Sequence, residues 1–184
     1  FEFSGGFLCE PLTRLGASVT GIDATEELIK IADAHKSFDK SLESLNYSWT
    51  TVEEFSVQNK ESFDAIVSSE VVEHVDQKKI FLQSCVDCLK PGGSFFLTTM
   101  SKTLVANVVG ICIAENILNF LPKGTHDHNK FICPHNLQRL LEECDCTTRR
   151  IHGMTLNPVT RQWIWIDSTD INYALHAIKN SKTN

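Results

Sequence analysis

Short apolar runs alternate along this chain with longer segments whose apolar residues recur every three to four positions. This alternation is typical of a parallel sheet whose strands are joined by crossover helices. The predicted strands are 18–22, 47–51, 63–68, 94–99, 147–152 and 171–179. The predicted helices are 25–35, 75–89 and 134–144, with a further helical stretch at 103–121. The pattern therefore predicts one doubly wound α/β domain over 1–184.

Local signals sharpen two of these boundaries. Thr25 is placed to cap the helix 25–35, and two acidic residues in the first turn suit the positive end of its dipole. The run of Lys90, Pro91, Gly92 and Gly93 predicts a helix stop and a turn before the strand 94–99.

Composition narrows the class of protein. A chain of 184 residues with 42% apolar residues can bury enough surface to fold without disulfides or a metal. Its net charge of −6 argues against a nucleic-acid partner, which needs a basic face. Cys85 and Cys88 form a C-x-x-C pattern inside a predicted helix, so the seven cysteines are interpreted as reduced thiols packed as small apolar groups.

Candidate chemistry lies where the predicted strands end, because α/β sheets bind ligands at the carboxyl ends of their strands. Gly5 and Gly6 allow a close backbone approach to a ligand, and Asp23 follows about 20 residues later at the end of a strand. A carboxylate at this position can accept both hydroxyls of a ribose. The alternative is that Asp23 only favours a turn.

The segment 69–74 carries a second candidate site. Glu73 and His74 follow Glu70 by three and four residues. One helical turn would therefore place all three on one face as ligands for Mg²⁺ or a similar ion. Alternatively, the two acids are solvated first-turn residues and His74 is a packed or capping residue.

The segment 103–130 stands out by composition. Residues 103–121 carry one charge, Glu115, which predicts either an amphipathic helix at a membrane interface or a core helix, and least of all a true membrane span. The polar loop 122–128 follows. Lys123 and His126 in that loop could approach a substrate, or the loop could be a simple connector.

Several motifs resemble one family of enzymes, the class I S-adenosylmethionine-dependent methyltransferases of ubiquinone biosynthesis. They are V-T-G-I-D, S-E-V-V-E-H-V, L-K-P-G-G-S-F-F-L-T-T, P-K-G-T-H-D, K-F-I, L-N-P and N-Y-A-L-H-A. The similarity runs from Gly5 to about Lys179 in one register. K-P-G-G is shared by many methyltransferases, whereas E-x-x-E-H together with P-K-G-T-H-D is far more specific.

The resemblance implies a Rossmann-like fold with a mostly parallel sheet and an antiparallel last strand. It implies methyl transfer from S-adenosylmethionine to phenolic hydroxyls of polyprenylated rings in ubiquinone biosynthesis. The implied cofactor-binding residues are Gly5, Gly6, Asp23 and Ser69. The implied Mg²⁺ ligands are Glu70, Glu73 and His74, with His74 alternatively the general base. The family works peripherally at the matrix side of the mitochondrial inner membrane within a biosynthetic complex, and 103–130 then resembles its membrane- or substrate-contacting insertion.

The start of the chain departs from the family pattern. The family's first strand ends in D-V-G-C-G-G-G, whereas this chain begins with Phe1, and Glu2 stands where a cofactor-contacting glycine belongs. We therefore expect the chain to be incomplete at its N-terminus, with a truncated first strand. Two other hypotheses stay open: a catalytically impaired isoform or paralogue that serves as a scaffold subunit of the ubiquinone-synthesis complex, and a methyltransferase for an unrelated small phenol.

Overall fold

A computed structural model describes residues 6–102, 131–157 and 159–181. The chain divides into two compact units, Phe1–Lys60 and Glu61–Asn184. Each unit is described by itself.

The first unit pairs two short parallel strands with three helices. Its elements in chain order are α1 (Cys9–Arg14), β1 (Thr20–Asp23), α2 (Glu26–Lys36), a 3₁₀ turn (Lys40–Leu42), β2 (Asn46–Trp49) and α3 (Val52–Gln58). β1 and β2 run parallel, with Asp23 opposite Trp49 at their carboxyl ends. Ile22, Ala32 and Leu42 are among the buried apolar side chains of this unit.

The start of α2 differs in detail from the sequence prediction. Thr25 occupies the N-cap position, but its side chain makes no capping hydrogen bond. Instead the Thr25 backbone N–H donates to Oδ1 of Asp23 at 2.6 Å. The helices α1 and α3 escaped prediction because six and seven residues are too few to show a helical period.

The second unit is built around a five-stranded sheet. Its elements are β3 (Phe63–Ser69), a 3₁₀ turn (Val72–His74), α4 (Lys78–Cys88), β4 (Leu89–Met100), α5 (Pro134–Glu143), β5 (Cys146–Leu156), β6 (Trp163–Ile166) and β7 (Asn172–Lys179). The strand order is β3-β4-β7-β5-β6. β3 and β4 are parallel, and β7 is antiparallel to both β4 and β5. β3, β4 and β5 therefore share one direction, and the antiparallel last strand is confirmed.

The predicted turn at Lys90–Gly93 falls inside β4 rather than before it. Phe63 pairs with Leu89 and Ala65 pairs with Ser94, so the intervening residues of β4 bulge out of the ladder. Gly92 has φ +79°, a conformation that a side chain would strain. The glycines thus shape a bulge while the strand continues through it.

The cysteine prediction is confirmed for the C-x-x-C pair. Cys85 and Cys88 lie in α4, and both are fully buried. Burial raises the pKa of the Cys88 thiol to about 11, so it stays protonated at neutral pH.

In the described part of the chain, no helix combines the length and apolarity that a membrane crossing requires. The segments 103–121 and 103–130, for which membrane contact was predicted, lie outside the described residues.

Candidate functional site

The glycine turn before α1 is closely packed. Gly6 is buried with φ +92°, and its carbonyl accepts the Glu10 N–H at 3.1 Å as α1 begins. A side chain at Gly6 would collide with the Tyr47 hydroxyl, so only glycine suits both the backbone and the space. Gly5 lies outside the described residues.

Asp23 ends β1 with its carboxylate held in place. The side chain is partly buried, and Oδ1 accepts the Thr25 N–H, which leaves Oδ2 as the second acceptor. Opposite it in β2, Trp49 donates its indole N–H to the Ala24 carbonyl at 3.0 Å and remains 59% exposed. A fixed carboxylate and an exposed indole therefore share one edge of the β1–β2 pair. Sequence reasoning missed Trp49, although an aromatic residue ending a predicted parallel strand is a signal for it.

Ser69 ends β3 and contacts β4. Its hydroxyl and that of Thr98 lie 2.9 Å apart, and either can be the donor. The next residue, Glu70, donates its N–H to the Thr98 carbonyl at 2.9 Å and adopts φ +53°. The end of β3 is thus tied to β4 by both backbone and side chain.

The three predicted metal ligands do not share a helical face, so the prediction that one helical turn carries all three is wrong. Glu70 is in a left-handed conformation, residues 72–74 form a 3₁₀ turn, and the next helix begins only at Lys78. Glu73 is only 3% exposed and accepts the Thr99 hydroxyl at 2.6 Å, whereas His74 is exposed. The spacing argument assumed one α-helical turn, and the backbone reversal at Glu70 removes it.

The Glu70 carboxylate instead faces the last strand. Its Oε2 lies 3.4 Å from Nδ2 of Asn172, which is itself buried. Among the residues that the structure describes, no group of three His, Cys, Asp or Glu side chains is placed to hold a metal ion. The described arrangement therefore gives no support to the Mg²⁺ site that the resemblance implied.

Tyr173 is a buried polar residue that sequence reasoning also missed. Its hydroxyl donates to the Ile132 carbonyl at 3.0 Å, which ties β7 to the residues before α5. Burial raises the pKa of Tyr173, so the phenol stays protonated and keeps donating. No local signal pointed to this contact, since its partner is 41 residues away.

Comparison with known proteins defines the class of the chain. Residues 3–97 match the family model described as a methyltransferase domain. A solved structure from Methanosarcina mazei, described as a SAM-dependent methyltransferase, superposes with a TM-score of 0.73 at 17% identity, covering 97% of this chain and 89% of that one. The fold is therefore that of a class I, Rossmann-like SAM-dependent methyltransferase.

The sequence relatives define the family of the chain more narrowly than the fold does. The mitochondrial ubiquinone biosynthesis O-methyltransferase of Rattus norvegicus is 48% identical over 176 residues, which is 95% of this chain and 51% of that protein. The ubiquinone biosynthesis O-methyltransferase of Chelativorans sp. is 41% identical over 95% of this chain and 68% of its own length. The chain belongs to the ubiquinone biosynthesis O-methyltransferase family, and it spans about half the length of its mammalian relatives.

Proposed function

We propose that this chain is the methyltransferase part of an enzyme that methylates phenolic hydroxyls of polyprenylated rings in ubiquinone biosynthesis, with S-adenosylmethionine as methyl donor. The observation that carries the proposal is an identity of 41–48%, over nearly the whole chain, to relatives named ubiquinone biosynthesis O-methyltransferase. Those names favour an enzyme over a scaffold subunit of a ubiquinone-synthesis complex.

The cofactor part of the proposal assigns Gly5, Gly6, Asp23 and Ser69 to S-adenosylmethionine. Asp23 would accept ribose hydroxyls, and its support is a carboxylate whose rotamer is already held by the Thr25 N–H. Gly6 would allow close backbone approach, supported by its positive φ and by the absence of room for a side chain.

The chemical part concerns the phenol proton. When bound, S-adenosylmethionine supplies the electrophilic methyl group. A phenol with a pKa of about 10 is a weak nucleophile at neutral pH, so removing its proton raises its reactivity. His74 is proposed as the general base, supported by its exposed imidazole on the turn after β3. His74 would keep that proton while the phenol oxygen takes the methyl group that S-adenosylmethionine would supply, which would leave S-adenosylhomocysteine.

Further parts of the proposal rest on the resemblance alone. They are Mg²⁺ bound through Glu70, Glu73 and His74, as the alternative to His74 acting as the base, substrate contact by Lys123 and His126, and membrane contact by 103–130. The proposed location is the matrix side of the mitochondrial inner membrane, with other subunits of a biosynthetic complex as partners. The described side chains do not support the Mg²⁺ part, and no chemical step depends on it.

Calorimetric titration with S-adenosylhomocysteine tests the cofactor assignment. Asp23→Asn keeps an acceptor for the Thr25 N–H but removes the charge, so we expect affinity to fall about tenfold or more. Asp33→Asn, an exposed change on α2, is the matched control and should bind like the unchanged chain. Titration of the chain with Mg²⁺ itself tests that part, because the absence of saturable binding would remove Mg²⁺ from the proposal.

The same titration with S-adenosylhomocysteine is made on a longer chain that carries the family's D-V-G-C-G-G-G segment. Binding by the longer chain alone would still support the proposal. Failure of both folded chains to bind would overturn it.

A further inference from the structure

β6 is an apolar strand at the edge of its sheet. It is the last strand in the order of the described sheet and consists of Trp163, Ile164, Trp165 and Ile166. The first three side chains are 54%, 41% and 67% exposed. Edge strands usually carry charge, proline or a covering element that prevents pairing with another chain. The residues of β6 include neither a charge nor a proline, which indicates an association surface.

Among the residues that the structure describes, no strand pairs with the outer edge of β6, so its backbone groups there can accept a further strand. The Asn157 N–H donates to the Gln162 carbonyl at 2.9 Å, and the register continues with Thr155 opposite Ile164. Bonded and non-bonded pairs alternate in antiparallel ladders, so Ile164 exchanges hydrogen bonds with β5. The N–H and C=O groups of Trp163 and Trp165 therefore face away from β5.

The sequence around Ile164 is complementary to itself in the antiparallel sense. If two copies are related by a two-fold axis that passes through Ile164 perpendicular to the sheet, Trp163 of each copy lies opposite Trp165 of the other. These are the two residues whose backbone groups face outward, so their hydrogen bonds would be made. All four indoles would lie on one face of the joined sheet, because side chains alternate along a strand.

Charge follows the same symmetry. Arg161 and Asp167 flank β6 at its two ends, and both are exposed. Arg161 lies in the turn before β6 with φ +56°, and Asp167 follows the last residue of the strand. The axis at Ile164 brings the Arg161 turn of each copy to the end of β6 in the other copy, where Asp167 follows, so opposite charges approach each other twice. Opposite charges across a ladder stabilise it and like charges destabilise it. The acid beside the tryptophans also disfavours an anionic lipid surface as the occupant.

We propose that β6 pairs antiparallel with β6 of a second copy of this chain, centred on Ile164, to form a two-fold dimer with a continuous sheet. The inference concerns assembly and is independent of the proposed methyl transfer. A membrane surface or a different protein at this strand are the competing outcomes of the test.

Cysteine cross-linking tests the register. In the proposed dimer Ile164 meets its own copy, so Ile164→Cys should form a disulfide-linked species of twice 20.7 kDa under mild oxidation. Gln162→Cys is the matched control, because it lies opposite Ile166 and far from its own copy. The unchanged chain, with its seven cysteines, measures the background. Equal cross-linking of both variants would overturn the proposal.

Charge exchange tests the pairing. Arg161→Glu or Asp167→Lys alone opposes like charges twice, and we expect the dimer dissociation constant from sedimentation velocity to rise about tenfold. The double variant restores opposite charges and should recover the original constant. Circular dichroism confirms that each variant is folded. A chain that remains monomeric at high concentration, whether or not it binds lipid vesicles, would contradict the proposal, as would a double variant without recovery.

Discussion

At the scale of single residues, the acidic side chains of Asp23 and Glu73, both near the ends of strands, have different surroundings. Asp23 stays partly open at the end of β1, with one oxygen held by a backbone N–H. Glu73 is buried and accepts a hydroxyl hydrogen bond from Thr99 on β4. The first arrangement can receive a ligand, whereas the second stabilises the turn after β3.

Two threonine-to-valine changes compare a hydroxyl that donates a hydrogen bond with a buried hydroxyl that makes none in the described structure. Thr99→Val leaves the buried Glu73 carboxylate without that donor, so the free energy of unfolding should fall by about 1–3 kcal/mol. Thr148 on β5 is the control, since its buried hydroxyl has no hydrogen-bond partner in the described structure. Thr148→Val should be neutral or stabilising. Urea unfolding measures both, and equal losses would contradict the interpretation.

His74→Gln tests the proposed base. The variant keeps a polar side chain but cannot accept the phenol proton, so turnover of a short-chain prenylated phenol should fall about 100-fold. Affinity for S-adenosylhomocysteine should be unchanged. His135→Gln, an exposed change on α5, is the control. Unchanged turnover of His74→Gln would remove the base from the mechanism.

At the scale of elements, the close contact between β5 and the chain after β6 depends on Gly153. A side chain at Gly153 would lie 2.6 Å from the Ser168 carbonyl carbon and 2.8 Å from the Ile166 oxygen. Both are backbone atoms, which cannot move aside as a flexible side chain can. Gly153 thus lets the chain after β6 cross closely over β5.

Gly153→Ala should therefore destabilise the sheet. The expected loss in the free energy of unfolding is about 2 kcal/mol, within the usual range for overpacking. Thr155→Ala, two residues along the same strand and only partly buried, should cost less. Denaturant unfolding compares them, and an equally stable Gly153→Ala would show that this crossing is not tight.

At the scale of the whole molecule, the matched methyltransferase region spans 3–97. It contains every residue proposed to hold the cofactor, namely Gly5, Gly6, Asp23 and Ser69. A ligand that binds only the folded chain stabilises it in proportion to the logarithm of its concentration. Cofactor binding should therefore appear as a change in global stability.

S-adenosylhomocysteine at about 100 times its dissociation constant should raise the melting midpoint by about 5–10 °C. The Asp23→Asn variant at the same ligand concentration should show a clearly smaller increase. Scanning calorimetry measures both, and equal shifts in the two proteins would argue against the ribose role of Asp23.

Local patterns of apolar and polar residues in the sequence predicted much of the fold. The predicted strands 63–68, 94–99 and 171–179 coincide closely with β3, the main part of β4 and β7, because short segments rich in apolar residues between turn signals are typical of strands. The position of Asp23 at a strand end was also visible from the sequence. By contrast, the prediction that one helical face carries Glu70, Glu73 and His74 was wrong, because the spacing of residues does not reveal that Glu70 itself is left-handed.

The sequence by itself determined the fold class, the approximate positions of the longer strands and the family motifs, since each depends on residues that are close along the chain. Only the tertiary structure decided that β7 lies between β4 and β5, that Glu73 is buried against Thr99, and that β6 forms an edge. These features depend on pairing between residues far apart in sequence. Local hydrophobic periodicity says which face of a strand is buried, but packing alone selects its neighbour.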